Sequence, residues 1–241
     1  MKKQKVLYLD VDIHHSDGVS EAFYDNKDVL TCSFHKLSPG FFPCTGHSRE
    51  KGVGDGFGYN VNIPIPDRVC DEEFLSIFEY SLKELTNAFD PSCIVLAIGT
   101  DGMHGDPLVP DGWCLTTRAL PRCVQLTASV SKASSLKLLL LGGGGYNDVN
   151  AARCFTACTA SACSAVSPLL CKLSDEIPCH NFSHMYGPTF QLHSNNDWIK
   201  PRKKRSMDDR RKTIDLAAAH IAKIRNNSYT PFQYNDDEED W

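Results

Sequence analysis

Tyr8-Leu9-Asp10-Val11-Asp12-Ile13-His14-His15-Ser16-Asp17-Gly18 is the stretch around which the chain is organised. It starts as an apolar strand, Val6-Leu7-Tyr8-Leu9, and turns polar within three residues. Side chains on a strand alternate between its faces. If the strand continues, Asp10, Asp12 and His14 share one side and Leu9, Val11 and Ile13 the other. Two carboxylates and an imidazole converging at the carboxyl end of a strand are costly to leave unpaired. Two readings follow: a bound cation, or a hydrogen-bonded polar network. A carboxylate with a histidine two residues on suits Zn²⁺ or a similar borderline metal.

Outward from this stretch, further apolar runs at 29–34, 59–63, 93–98 and 136–141 read as strands. Residues 71–89 read as a helix, with Asp71 as N-cap and an apolar stripe of Phe74, Ile77, Phe78, Leu82, Leu85 and Phe89. Residues 117–131 and 149–166 are the next helices, with Pro121 tolerated in a first turn. The strands are continuous apolar runs, which points to a largely parallel sheet covered on both faces. In such sheets the ligand site lies beyond the carboxyl ends of the strands. Three strands deliver Asp12 and His14, then Asp101 in Gly99-Thr100-Asp101-Gly102, then Gly145-Tyr146 to that edge. This convergence favours the metal over the network.

A chain of 241 residues is long enough for one sizeable α/β domain. Its net charge of −5 argues against bulk nucleic-acid binding. No apolar run reaches the ~20 residues that span a bilayer, and Met1-Lys2-Lys3-Gln4-Lys5 is not followed by a signal-peptide pattern. The 11 cysteines therefore read as reduced thiols. Cys32, Cys93, Cys123, Cys154, Cys158 and Cys163 lie in apolar segments and read as small hydrophobes. Cys154 and Cys158 share a helix face, but no second Cys/His pair accompanies them, so core packing is expected. From residue 174 the regular pattern fades. Lys200-Pro201-Arg202-Lys203-Lys204-Arg205 reads as a nuclear localisation signal or a solvated loop, 213–224 as a short helix, and Asp236-Asp237-Glu238-Glu239-Asp240 as a solubilising tail. Residues 1–195 are taken as the domain and 196–241 as a charged extension.

Asp10-Val11-Asp12-Ile13-His14-His15, Ser38-Pro39-Gly40-Phe41-Phe42-Pro43, Asp101 in its Gly-Thr-Asp turn, Gly142-Gly143-Gly144-Gly145-Tyr146 and Tyr186-Gly187-Pro188 resemble the class I zinc-dependent histone deacetylases. The nearest branch is the deacetylase-8-like group. The motifs fall in one order along the chain. The resemblance implies an α/β, three-layer arginase/deacetylase-like fold and hydrolysis of ε-N-acetyl-lysine. It implies Asp12, His14 and Asp101 as ligands to Zn²⁺, with Fe²⁺ as the alternative. It implies Tyr146 as the hydroxyl that stabilises the oxyanion, Phe42 as a wall of the acyl-lysine tunnel, and Gly144 as part of the pocket floor. Asp10, the main-chain oxygens of Asp12, His14 and Phe34, and the Ser33 hydroxyl resemble a structural K⁺ site. Implied partners are acetylated histone tails or other acetyl-lysine proteins, with corepressor subunits. No sequence-specific nucleic acid or membrane is implied, and the compartment is the nucleus, with the cytoplasm second.

The family also has a His-His pair upstream of this strand that supplies the general base. His14-His15 is not that pair. The sequence reading therefore expects a truncated form of impaired activity, in which Asp10 and Asp17 lack the histidines they would orient and the strand at 136–141 exposes an apolar edge. His35 and His104 are the nearest substitutes by sequence, and both read better as structural. Ser16, Cys44 and Cys114 stand where the family has Gly, Gly and Asn, and Gly102 where a hydroxyl or apolar residue is usual. The alternative is a non-catalytic, metal-binding protein acting through partners. An acetylpolyamine amidohydrolase is a weaker one.

Overall fold

The computed structural model describes residues 4–110, 112–167, 173–193 and 208–225. Five strands, β1 (Val6–Asp10), β2 (Val29–His35), β3 (Asn60–Pro64), β4 (Cys93–Ile98) and β5 (Lys137–Gly142), form one sheet in the order β3-β2-β1-β4-β5. Every pairing is parallel. The fold is the expected α/β class. Helices α1 (Asp17–Ala22), α2 (Asp71–Phe89), α3 (Ala119–Ala133), α4 (Asp148–Val166) and α5 (Asp208–Arg225) complete the order. The one-turn α1 was not expected, because its six residues carry no apolar stripe.

The register sorts the sheet into two faces. Leu9, Cys32, Val61, Leu96 and Leu140 lie in one row across it. The next residue along each strand gives Asp10, Ser33, Asn62, Ala97 and Leu141 on the other face. α2 packs Phe74 and Phe78 against Phe34 of β2. α3 and α5 flank α2, and α4 lies against α3. This layer buries the apolar row, and on the opposite face Asp10, Ser33 and Asn62 are buried polar residues. At β5, which among the described residues pairs only with β4, Leu139 and Leu141 are 50% and 42% exposed. That is the apolar edge expected there.

Some local expectations change. The N-cap of α2 is Cys70, not Asp71. Asp71 instead accepts the amide and hydroxyl of Thr116, tying the chain ahead of α3 to the start of α2. Cys123, Cys154 and Cys158 are buried, as expected, but Cys163 is exposed, because its position on α4 faces away from α3. Helix α5 is longer than expected at its start. It docks through buried Ile214, through Arg210 Nε donating to the Pro64 carbonyl (2.7 Å), and through Asp215, which accepts the Tyr80 hydroxyl. The basic cluster at 200–205 and the acidic tail at 236–240 lie outside the described residues.

Three departures from the family pattern also find their place. Gly102 leaves no room for a Cβ, which would stand 2.6 Å from Trp113 Cε3. Ser16 has φ −76°, which needs no glycine. Cys44 has φ +67°, the left-handed region that favours glycine. Cys44→Gly is therefore expected to raise stability by about 1 kcal/mol in denaturant titration.

Candidate metal centre

Strand order reverses between β1 and β4, the place where an open α/β sheet offers a crevice at its carboxyl edge. β1 ends at Asp10, not at His14. One more sheet bond follows, from the Val11 amide to the Ala97 carbonyl (3.0 Å). Beyond it the alternation persists without a strand. Val11 and Ile13 are fully buried while Asp12 and His14 are half-buried, and Ile13 is anchored on both sides. Its amide donates to Asp101 Oδ1 (3.2 Å) and its carbonyl accepts the Lys36 amide (2.8 Å).

Asp12, His14 and Asp101 each place one ligand atom within 4.8 Å of the others. His14 Nδ1 lies 3.0 Å from Asp12 Oδ1 and 2.9 Å from Asp101 Oδ2. Asp12 Oδ2 accepts the Gly144 amide (2.7 Å), and the Gly144 carbonyl accepts the Thr100 amide (2.7 Å). The glycine run after β5 is thus locked to the ligands from β1 and β4. Gly144 was expected in the pocket floor, and it stands directly against the ligands. A Cβ there would meet Asp101 Oδ2 at 2.3 Å.

The electrostatics fit a cation. Hydrogen bonds to Asp101 and Asp12 raise the His14 pKa to about 10, against the opposing effect of burial. Burial pushes Asp12 upward, but bonds from His14 and Gly144 outweigh it and hold the carboxyl below its usual range. Asp101 is raised by burial and by the charge of Asp12. One nitrogen and two carboxylates facing each other form a donor set suited to a divalent ion, whose charge replaces the shared proton and offsets the two carboxylates.

Phe42 is 70% exposed, with its ring edge-on to His14 at 6.2 Å. Phe41, which the sequence reading passed over, stacks on His14 at 5.1 Å and 7°. Lys36 lies 5.0 Å from the Phe41 ring centre and pairs with Asp67 at 2.9 Å. Tyr146 stands 48% exposed at the rim. Partial burial and the carboxylates of Asp101, Asp12 and Asp106 raise its phenol pKa.

Asp10 and Ser33 are register partners across β1 and β2. The Asp10 carboxylate accepts the Tyr8 hydroxyl (2.6 Å) and the Asp12 amide (2.9 Å). Burial raises its pKa to about 6. Ser33 Oγ is bonded to His35 Nδ1 (2.9 Å) and accepts the Ser16 amide (3.3 Å). Asp17 is exposed at the start of α1.

The ring nitrogens of His15 and His35 are engaged by groups other than Asp12, His14 and Asp101. His15 is bonded to Thr45 (2.8 Å) and Ser20 (3.3 Å), and His35 to Ser33 and the Gly46 carbonyl (2.7 Å). His104 sits on the loop after Asp101, with its carbonyl accepting Asn150 Nδ2. Burial lowers the His35 pKa from 6.5 to about 4, so the unfolded chain takes up this proton first. The contribution of His35 is fully present above pH 6.5 and is lost progressively as the pH falls to about 4. At ~1.4 kcal/mol per pH unit the loss approaches about 3 kcal/mol. The raised Asp10 carboxyl contributes in the opposite sense over nearly the same window, so the His35 contribution is read as a difference. The gap in denaturant midpoint between the wild type and His35→Gln is expected to shift against the wild type as the pH falls from 6.5 to about 4.

A parallel α/β sheet thus carries two carboxylates and an imidazole at its switch point, a group that could hold a metal ion. Residues 1–162 match the family model described as "Histone deacetylase domain", and the chain belongs to the histone deacetylase family. It is 41% identical over 191 residues to histone deacetylase 8 of Xenopus tropicalis, covering 79% of this chain and 48% of that protein. To histone deacetylase 8 of Danio rerio it is 40% identical over 191 residues, covering 79% and 47%. To histone deacetylase 1 of Homo sapiens it is 38% identical over 217 residues, covering 86% and 42%. The chain spans about half the length of the curated relatives it matches.

Proposed function

We propose that this chain carries the metal-binding part of a protein-lysine deacetylase site and hydrolyses ε-N-acetyl-lysine slowly. The observation that supports this best is the cluster of Asp12, His14 and Asp101 within 4.8 Å at the carboxyl edge. Zn²⁺ is the proposed ion, with Fe²⁺ also suited to the same donors. A bound divalent ion supplies Lewis acidity toward the acyl carbonyl and a water of lowered pKa. The residues of the chain do the rest. Tyr146 donates its hydroxyl hydrogen bond to the carbonyl oxygen as negative charge develops there. Phe41 stacked on His14 holds that imidazole in plane, and Phe42 walls the entry of an extended alkyl chain. The slow rate is proposed because the ring nitrogens of the two nearby buried histidines are already hydrogen-bonded to other groups, which leaves neither poised to take a proton from water.

A K⁺-type ion is proposed beside the register pair Asp10 and Ser33, with main-chain oxygens of Asp12, His14 and Phe34. Acetylated histone tails or other acetyl-lysine proteins are the proposed substrates, and the nucleus the proposed compartment.

The test is acetate release from an acetyl-lysine peptide by the Zn²⁺-loaded protein. Tyr146→Phe is expected to reduce turnover about a hundredfold, the cost of one oxyanion donor, with Zn²⁺ affinity retained. Metal binding without any acetate release favours a second reading, a metal-bound protein that acts through partners such as corepressor subunits. The exposed Leu139 and Leu141 on β5 support that reading.

A further inference from the structure

We propose that Asp106 is the positioning residue for Tyr146, so that the place of the phenol depends on the loop that carries the metal ligand Asp101. The proposal rests on the reading of Tyr146 as oxyanion donor. Asp106 follows Asp101 by five residues and is only 2% exposed. Both its carboxylate oxygens point at backbone amides. Oδ1 accepts the Leu108 amide (3.0 Å), a local turn bond. Oδ2 accepts the Tyr146 amide (2.8 Å) from the segment after β5. The first bond alone would make Asp106 an ordinary turn residue, but the second crosses between strands.

The two residues before Asp106 repeat the contact. The Gly105 carbonyl accepts Asn147 Nδ2 and the His104 carbonyl accepts Asn150 Nδ2, each at 3.1 Å. Gly105 makes the turn with φ +87°, where glycine is favoured. Asn147 also caps α4 by accepting the Asn150 amide (3.1 Å). Residues 104–106 therefore grip the start of α4, and only the Asp106 bond is charge-assisted. The Tyr146 hydroxyl has no hydrogen-bond partner among the described residues, so its position follows from where its backbone is held. A displacement on the order of 1 Å at such a donor is costly to a reaction.

The test uses the full chain labelled with 3-fluorotyrosine, with the Tyr146 resonance assigned through Tyr146→Phe. In the metal-free protein, Asp106→Ala is expected to shift or broaden this resonance. In the wild type Zn²⁺ is expected to shift it, and in Asp106→Ala the Zn²⁺ response is expected to fall by at least about half while Zn²⁺ affinity stays within about threefold. Asp106→Asn preserves volume but removes the charge and replaces one acceptor oxygen by an NH2 donor, so the amides of Leu108 and Tyr146 compete for a single neutral oxygen. Its Tyr146 amide is expected to exchange with solvent at least about tenfold faster, and this arm carries the test if the alanine variant does not fold. An unchanged fluorine resonance, an unchanged Tyr146 exchange rate in Asp106→Asn, or a loss of Zn²⁺ affinity as large as the loss of Tyr146 response would overturn the proposal. Failure of the wild type to bind Zn²⁺ would refute the metal reading instead, and the metal-free comparison would still decide the role of Asp106.

Discussion

Asp101→Ala is expected to lower divalent-metal affinity at least about a thousandfold, well beyond the ~10–100-fold attached to groups that only support a ligand. The carboxylate is one of the three proposed ligand groups, and its Oδ2 lies 2.9 Å from His14 Nδ1. With it gone, an ion keeps one carboxylate and one imidazole, too few to replace its hydration shell. The fold should survive. Asp101 sits buried beside the like charge of Asp12, and both effects disfavour its charged form. Its removal relieves that repulsion while orphaning the Ile13 amide. Asp101→Asn keeps an acceptor for Ile13 and separates the two effects. Calorimetric titration with Zn²⁺, paired with denaturant melts of the metal-free proteins, reads both.

Gly144→Ala is expected to weaken metal binding about 10–100-fold although no ligand is altered. An added Cβ would stand 2.3 Å from Asp101 Oδ2 and 2.9 Å from Asp12 Oδ2, so one methyl group intrudes on both carboxylates. The glycine cannot retreat without giving up its amide bond to Asp12 and its carbonyl bond to Thr100. A stability loss of about 1–3 kcal/mol is expected as well, the usual cost of overpacking. Gly142→Ala is the control, since nothing lies within 4 Å of its Cβ position. The pair distinguishes a steric demand at one position from a general need for flexibility in the run. Equal affinities for the two variants would remove Gly144 from the account.

The parts of the chain that read correctly were those where one periodicity dominates. β4 matches its expected run because it is bounded by polar and glycine residues on both sides. α2 matches because its apolar stripe runs unbroken from Phe74 to Phe89. Asp12, His14 and Asp101, whose ligand atoms lie within 4.8 Å of one another, could be singled out because each stands a few residues beyond an apolar strand. Other features depend on contacts distant in sequence. Phe41 and Phe42 are adjacent and chemically alike, and only the turn closed by the Phe41 amide on the Ser38 carbonyl decides which one stacks on His14. Asp106 sits among Gly and Pro in a stretch without periodicity, and its partner Tyr146 is 40 residues away. The polar face of the sheet was also hidden, because Ser33 and Asn62 sit in runs that look apolar until the register aligns them with Asp10.

The central claim is that Asp12, His14 and Asp101 form one divalent-metal centre. Titration of the purified chain with Co²⁺, followed by its visible absorption, tests this most directly. The expected result is saturation at one ion per chain with a low-symmetry, four- or five-coordinate spectrum that is absent from Asp101→Ala and His14→Ala. No saturable binding, or a spectrum and stoichiometry unchanged in both variants, would contradict it.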